Sequence, residues 1–249
     1  MATFDSDGVN IRYEVFGEGP PMVLVHGFAS SLDANWLRPG WIETLTPLRH
    51  VIALDCRGHG QSGKPHDAEM YGMDKMAGDV VRLMDHLGVE RADLMGYSMG
   101  SRISMHLMTH HAERFTSVVL GGVGGTFGRN RGNVAAGLRA ADAGAISDPT
   151  ARGFRAFAEA NKSNDLEALA ACMSAPRQPP TPELLAAVQL PVLIVTGAKD
   201  TLVGSPEPLA AAIPGARAVV IPERDHLTTV ADPRYKDAVV GFLSERATD

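Results

Sequence analysis

The sequence predicts an α/β domain on a mostly parallel eight-stranded sheet flanked by helices, and three observations carry that prediction. Short runs rich in Val, Ile and Leu alternate with longer amphipathic stretches, the pattern of parallel strands buried on both faces. One such run, Ala92–Met95, leads through Gly96-Tyr97-Ser98-Met99-Gly100 into a helical pattern. The 249 residues, 45% hydrophobic and 21% charged, suffice for one large domain with a full core.

Taken in order, the chain opens as an antiparallel pair, Thr3–Phe4 and Val9–Phe16, turning at Ser6-Asp7-Gly8. Parallel strands are expected at Met22–Val25, Val51–Leu54, Ala92–Met95, Ser117–Leu120, Val192–Val195 and Ala218–Ile221. Met76, Val80, Leu83, Met84 and Leu87 make one stripe of a helix over Met73–Leu87, with Gly88 as its stop. Met99, Ile103 and Leu107 mark the apolar face of a second helix running to about His111. From 124 to 188 no strand-like run occurs. Ala-rich helical segments fill this interval, with loops expected at Gly124-Gly125, Asp148-Pro149 and Pro176–Pro182. We read 124–188 as a small helical lid over the strand ends, and 1–123 with 189–249 as the core, because ligands bind beside the carboxyl ends of strands in such sheets.

Composition narrows the partners. The net charge is −6 and no Lys/Arg-rich block occurs, so neither nucleic acid nor a membrane surface is an expected partner. Cys56 and Cys172 are too few and too separated for a disulfide framework or a metal-ligand cluster. Met1–Gly8 lacks the basic and apolar regions of a signal peptide and no apolar run reaches membrane length, so neither a leader nor a membrane span is expected. A cytoplasmic enzyme acting on a small molecule is the expectation; oligomeric state is left open.

The chemistry centres on Ser98. A sharp strand-to-helix turn projects the serine outward and requires glycine two residues to either side. A serine hydroxyl needs a base and the base an orienting acid. Asp200 follows the strand Val192–Val195, and His226 follows Ala218–Ile221. The expected roles are Ser98 as nucleophile, His226 as proton carrier and Asp200 as its orienter. Glu223 and Asp225 are rival acids that read better as loop carboxylates. The oxyanion would be held by the backbone N–H of Met99 and that of Phe28, in His26-Gly27-Phe28-Ala29. His26 reads as a loop brace, since His226 fills the base position. This chemistry needs no metal and no organic cofactor.

Candidate pocket residues are Trp36, which follows the oxyanion loop, and the lid aromatics Phe127, Phe154 and Phe157. Trp41 has a core alternative. Arg102, one helical turn past Ser98, either meets an acidic substrate or forms an ion pair. His110-His111 reads as a helix-terminal pair, and Met99, Met105 and Met108 as packing.

His26-Gly27-Phe28, Asp55-Cys56-Arg57-Gly58-His59-Gly60-Gln61-Ser62, Gly96–Gly100, Gly197-Ala198-Lys199-Asp200 and Asp225-His226 together resemble the α/β-hydrolase superfamily. The chain is most similar to small bacterial carboxylesterases, enol-lactonases and cofactor-free haloperoxidases. That resemblance implies a structural loop at Asp55–Ser62, with no catalytic role for Asp55, Arg57 or His59. It implies a serine rather than an aspartate nucleophile. The expected reaction is cleavage of a carboxylic ester or lactone through an acyl-enzyme. Two alternatives stand beside it. Gly96–Arg102 is also similar to a menaquinone-pathway lyase, a carbon–carbon chemistry that would direct several of Arg129, Arg131, Arg139, Arg152 and Arg155 at Ser98. The other is a triad-bearing ligand receptor or signalling protein.

Overall fold

The computed structural model describes residues 1–126, 133–176 and 178–245. Its eight strands are β1 (Ala2–Ser6), β2 (Val9–Phe16), β3 (Pro21–Val25), β4 (His50–Leu54), β5 (Ala92–Tyr97), β6 (Phe115–Gly121), β7 (Val192–Gly197) and β8 (Arg217–Ile221). They form one sheet in the order β1-β2-β4-β3-β5-β6-β7-β8. The β1–β2 and β2–β4 pairs are antiparallel and the rest parallel. Asp7 and Gly8 both take positive φ in the first hairpin, as a two-residue turn matched to strand twist demands. The expected strands are all present, most of them extended by one or two residues at an end.

Alternation splits each apolar run between two cores. Val23, Val25, Ile52, Leu54, Leu94, Val118, Leu120, Val192 and Ile194 face one side of the sheet. Met22, Leu24, Val51, Ala53, Met95, Val119, Leu193 and Val195 face the other. Both faces are buried, so the sequence shows no polar alternation. On the second face pack the helices α1 (Trp41–Leu45) and, at the C-terminal end, Pro233–Ser244. On the first face pack α2 (Met73–His86) and α3 (Met99–His110). Gly88 at φ 67° ends α2, with Val89 N–H bonded to Met84 O and Gly88 N–H to Asp85 O.

Between β6 and β7 lie α4 (Val134–Arg139), α5 (Pro149–Glu159), α6 (Leu166–Ser174) and α7 (Pro182–Ala186), and no strand among the described residues. Asp148-Pro149, expected as a loop, is the start of α5. The Asp148 carboxylate caps the Thr150 N–H and Pro149 occupies the first turn. The last two helices are α8 (Glu207–Ala211) and α9 (Pro233–Ser244). Among the described residues, no helix is long and apolar enough to cross a membrane.

Strand order reverses around β3, which lies between β4 and β5. The carboxyl ends of β3 and β5 therefore flank the crevice where open α/β sheets bind ligands.

Candidate active site

Ser98 leaves β5 at φ 54° and ψ −105°, a strained conformation for a residue with a side chain. Its own N–H is held by Gly121 O at 2.8 Å. The flanking glycines are required by close approach: a Cβ on Gly96 would run into the Gly100 and Ser101 backbone, and one on Gly100 into the Val25 carbonyl.

His226 comes from the loop after β8, and its Nε2 lies 2.9 Å from Ser98 Oγ. Its Nδ1 lies 2.7 Å from Asp200 Oδ2, on the loop after β7. A carboxylate only accepts, so Nδ1 carries the proton and Nε2 faces the serine as an acceptor. The Asp200 side chain is fully buried. Its Oδ1 accepts from the N–H groups of Leu202 and Val203 at 3.1 and 3.3 Å. The Asp200 and His226 loops are joined by backbone bonds, Ala198 N–H to Ile221 O and Lys199 N–H to Arg224 O. The three predicted residues thus meet in one chain of hydrogen bonds. Asp225 instead caps its own turn through Leu227 N–H and the Thr228 N–H and hydroxyl, while Glu223 is exposed.

The Tyr97 hydroxyl donates to His226 O at 2.6 Å. Burial pushes this phenol well above its ordinary range, so it stays a donor.

Gly27 and Phe28 follow β3 and border Ser98. Gly27 N–H donates to Asn35 Oδ1 at 3.1 Å. Among the described residues neither the Phe28 nor the Met99 N–H donates to a protein acceptor. His26 is fully buried and braces the loop. Its Nδ1–H donates to Gly27 O at 2.7 Å and its Nε2 accepts the Cys56 N–H at 2.9 Å. Burial holds its pKa below the usual imidazole range.

The Asp55–Ser62 segment is scaffold. Asp55 is paired with Arg12 and accepts the N–H groups of Leu32 and Gln61. Arg57 grips Asp79 of α2 at 2.6 and 2.7 Å. His59 stands in edge contact with the Phe28 ring, 5.6 Å between centroids.

A cavity of about 570 Å³ opens over Ser98 and His226, mostly apolar in lining, with Phe28, Phe154, Phe157, Leu202, Leu227 and Val230 in its wall. Phe154 and Phe157 reach it from α5, and Phe154 lies against Phe28 with ring centroids 5.7 Å apart. Trp36 does not line it. The π-helical turn Asp33–Leu37 sends this ring into the second core, in edge contact with Trp41, and brings its neighbour Asn35 to the cavity instead. Trp41 is core, its indole N–H bonded to Val230 O. Phe127 lies outside the described residues.

Sequence reasoning missed Asn35, Leu202 and Leu227. Leu227 carried a signal, an apolar residue set in a polar loop and 59% exposed. Arg102 is half-buried on α3 and is not in the cavity wall. Of the arginines that a multiply anionic substrate would require, Arg155 caps the carbonyls of Leu138 and Ala140, Arg152 binds Ile146 O, and Arg139 pairs with Glu167. Arg129 and Arg131 lie outside the described residues. Among the described residues, no His, Cys, Asp or Glu cluster could hold a metal ion.

Comparison with known proteins agrees with this architecture. The chain is 41% identical over 117 residues to the dihydrolipoyllysine-residue acetyltransferase component of the acetoin cleaving system of Cupriavidus necator. That match takes in 47% of this chain and 30% of the relative, so the chain spans under a third of that protein's length. It is 27% identical to 3-oxoadipate enol-lactonase 2 of Acinetobacter baylyi, over 98% of this chain and 96% of the other. The crystal structure of a hydrolase from Pseudomonas aeruginosa PA01 superposes with a TM-score of 0.80 at 27% identity, over 97% of both chains. Residues 20–171, more than half of the sequence, match the alpha/beta hydrolase fold family, and the chain belongs to it.

Proposed function

We propose that the protein is a serine hydrolase that cleaves a carboxylic ester or lactone of a small to medium substrate through an acyl-enzyme. The observation that carries this reading is the unbroken chain Ser98 Oγ, His226 Nε2, His226 Nδ1 and Asp200 Oδ2 at the floor of the cavity. His226 takes the Ser98 proton as Oγ attacks the carbonyl carbon. The imidazolium formed is stabilised by Asp200 and returns its proton to the leaving oxygen. The N–H groups of Phe28 and Met99 hold the developing oxyanion. Water then enters by the same route in reverse and frees the acid.

The helices of 124–188 act as the lid in this reading, since α5 supplies Pro149, Thr150, Gly153, Phe154 and Phe157 to the cavity. The mostly apolar wall suits an uncharged acyl group. The likeness to an enol-lactonase along nearly the whole chain supports oxygen-ester chemistry.

The test is hydrolysis of p-nitrophenyl esters from acetate to laurate by wild type and Ser98→Ala. Turnover that depends on Ser98 and peaks at one chain length is expected. Folded protein without turnover across the series would sink the esterase reading and favour carbon–carbon cleavage or ligand reception.

A further inference from the structure

We propose that Gly153 keeps open a subsite at the mouth of the cavity for the far end of an alkyl chain, carried by the acyl or the alcohol half of the substrate. The proposal rests on the ester or lactone hydrolysis proposed above and gives that substrate its long apolar arm.

Gly153 lies in the middle of α5, where glycine weakens a helix relative to alanine. Neither of the usual reasons for a glycine applies. Its backbone is helical and its φ is not positive. A Cβ built on it would meet no heavy atom within 4 Å. Gly137 on α4 is the contrast: its Cβ would stand 2.9 Å from the Ala151 Cβ, so that glycine lets α4 and α5 approach. What the missing side chain at Gly153 leaves is room.

That room belongs to the cavity. At about 100° per residue, Pro149, Thr150, Gly153, Phe154 and Phe157 occupy one arc of α5, and all five line the cavity over Ser98. Ala151, Arg155 and Ala158 occupy the opposite arc and are buried. Gly153 falls between Pro149 and Phe157 on the first arc and is itself exposed, so the cavity opens to solvent there. Apolar surface lies uncovered at this mouth, since Phe157 is 38% exposed and Leu227 59% although both line the cavity. An alkyl chain covers such surface favourably and asks for no polar partner. The way to it is apolar throughout. Phe28, beside Ser98, packs on Phe154, and Phe154 adjoins Gly153 on the helix.

Kinetics of Gly153→Ala and Gly153→Leu test this, because a Cβ at this position crowds nothing and both residues are better helix formers. Two ester pairs separate the halves of the substrate: p-nitrophenyl decanoate against p-nitrophenyl acetate for the acyl chain, decyl acetate against ethyl acetate for the alcohol chain. In Gly153→Leu the long-to-short ratio of kcat/KM is expected to fall about tenfold or more in at least one pair, with a smaller fall in Gly153→Ala. The pair that responds identifies the half that carries the chain. Ratios unchanged or raised in both pairs overturn the proposal, as does a wild type that cleaves only the short ester of each pair. Should wild type cleave none of the four, the hydrolase reading alone fails and binding decides. Decan-2-one is then titrated by NMR into Ser98→Ala and into Ser98→Ala carrying Gly153→Leu. Binding about tenfold weaker in the double variant supports the subsite. Equal affinities, or no binding to Ser98→Ala, overturn it.

Discussion

The Tyr97 hydroxyl donates to the main-chain carbonyl oxygen of His226 at 2.6 Å, tying the residue before the proposed nucleophile to the proposed base. The two rings lie 5.6 Å apart, so this side chain fixes both the height of the histidine loop and the wall beside it. Tyr97→Phe keeps the ring and removes the bond. Its kcat/KM should fall about tenfold, equivalent to roughly 1.4 kcal/mol, with KM little changed. Wild-type kinetics would show that the loop is held elsewhere.

Strain at Ser98 should be measurable as stability. At φ 54° and ψ −105°, glycine is favoured and alanine is not. Ser98→Gly should resist urea better than Ser98→Ala by about 1 kcal/mol, with both inactive. Equal midpoints would show that the turn costs nothing.

Asp200 and Glu223 give opposite expectations. Asp200→Asn removes the charge that holds the Nδ1 tautomer and should lower kcat by about 10⁴-fold. Glu223→Gln, in an exposed loop, should leave turnover within about twofold, as for other surface changes of small energetic effect. Reversal of these effects in steady-state assays would move the acid to Glu223.

The Arg57–Asp79 pair joins the Asp55–Ser62 loop to α2 with both side chains 2% exposed or less. Ser6 Oγ donates to the same carboxylate at 2.5 Å. Asp79→Asn leaves a guanidinium buried without a full counter-charge. It should cost about 3 kcal/mol or more in chemical denaturation. A cost below about 1 kcal/mol, the scale of an exposed pair, would show the pair to be solvated.

His26 makes stability depend on pH. Its pKa in the fold is depressed by burial, so the unfolded chain binds the extra proton first as pH falls. The contribution is fully present above the ordinary value of 6.5 and is lost as pH drops below it toward the folded pKa. Between pH 7 and 5, wild type should lose more stability than His26→Asn in paired denaturation curves. Parallel curves would place the titration elsewhere.

Much of this was legible in the sequence because the signals were local. Two-face burial leaves its mark inside each strand, and the Gly96–Gly100 turn needs its glycines whatever surrounds it. Ser98, Asp200 and His226 each close a strand, so strand prediction alone placed them at one end of the sheet. The cavity wall was less legible, because it depends on segments that converge from five parts of the chain. Trp36 follows the oxyanion loop closely enough to suggest a pocket residue, yet one π-helical turn exchanges its direction with that of Asn35. No periodicity rule anticipates such a turn. The cap at Asp148 was readable as Asp-Pro, which begins helices as readily as it marks loops.

β8 is the last strand of the sheet and is paired on one side only, to β7. Its loop carries His226, and the loop after β7 carries Asp200, with two backbone bonds stitching these loops together. The two loops are therefore held to one another by main-chain bonds, whereas the Tyr97 hydroxyl on His226 O bridges them to the strand that ends at Ser98. A substitution that loosens this edge is expected to disturb the His226–Ser98 contact before the His226–Asp200 contact.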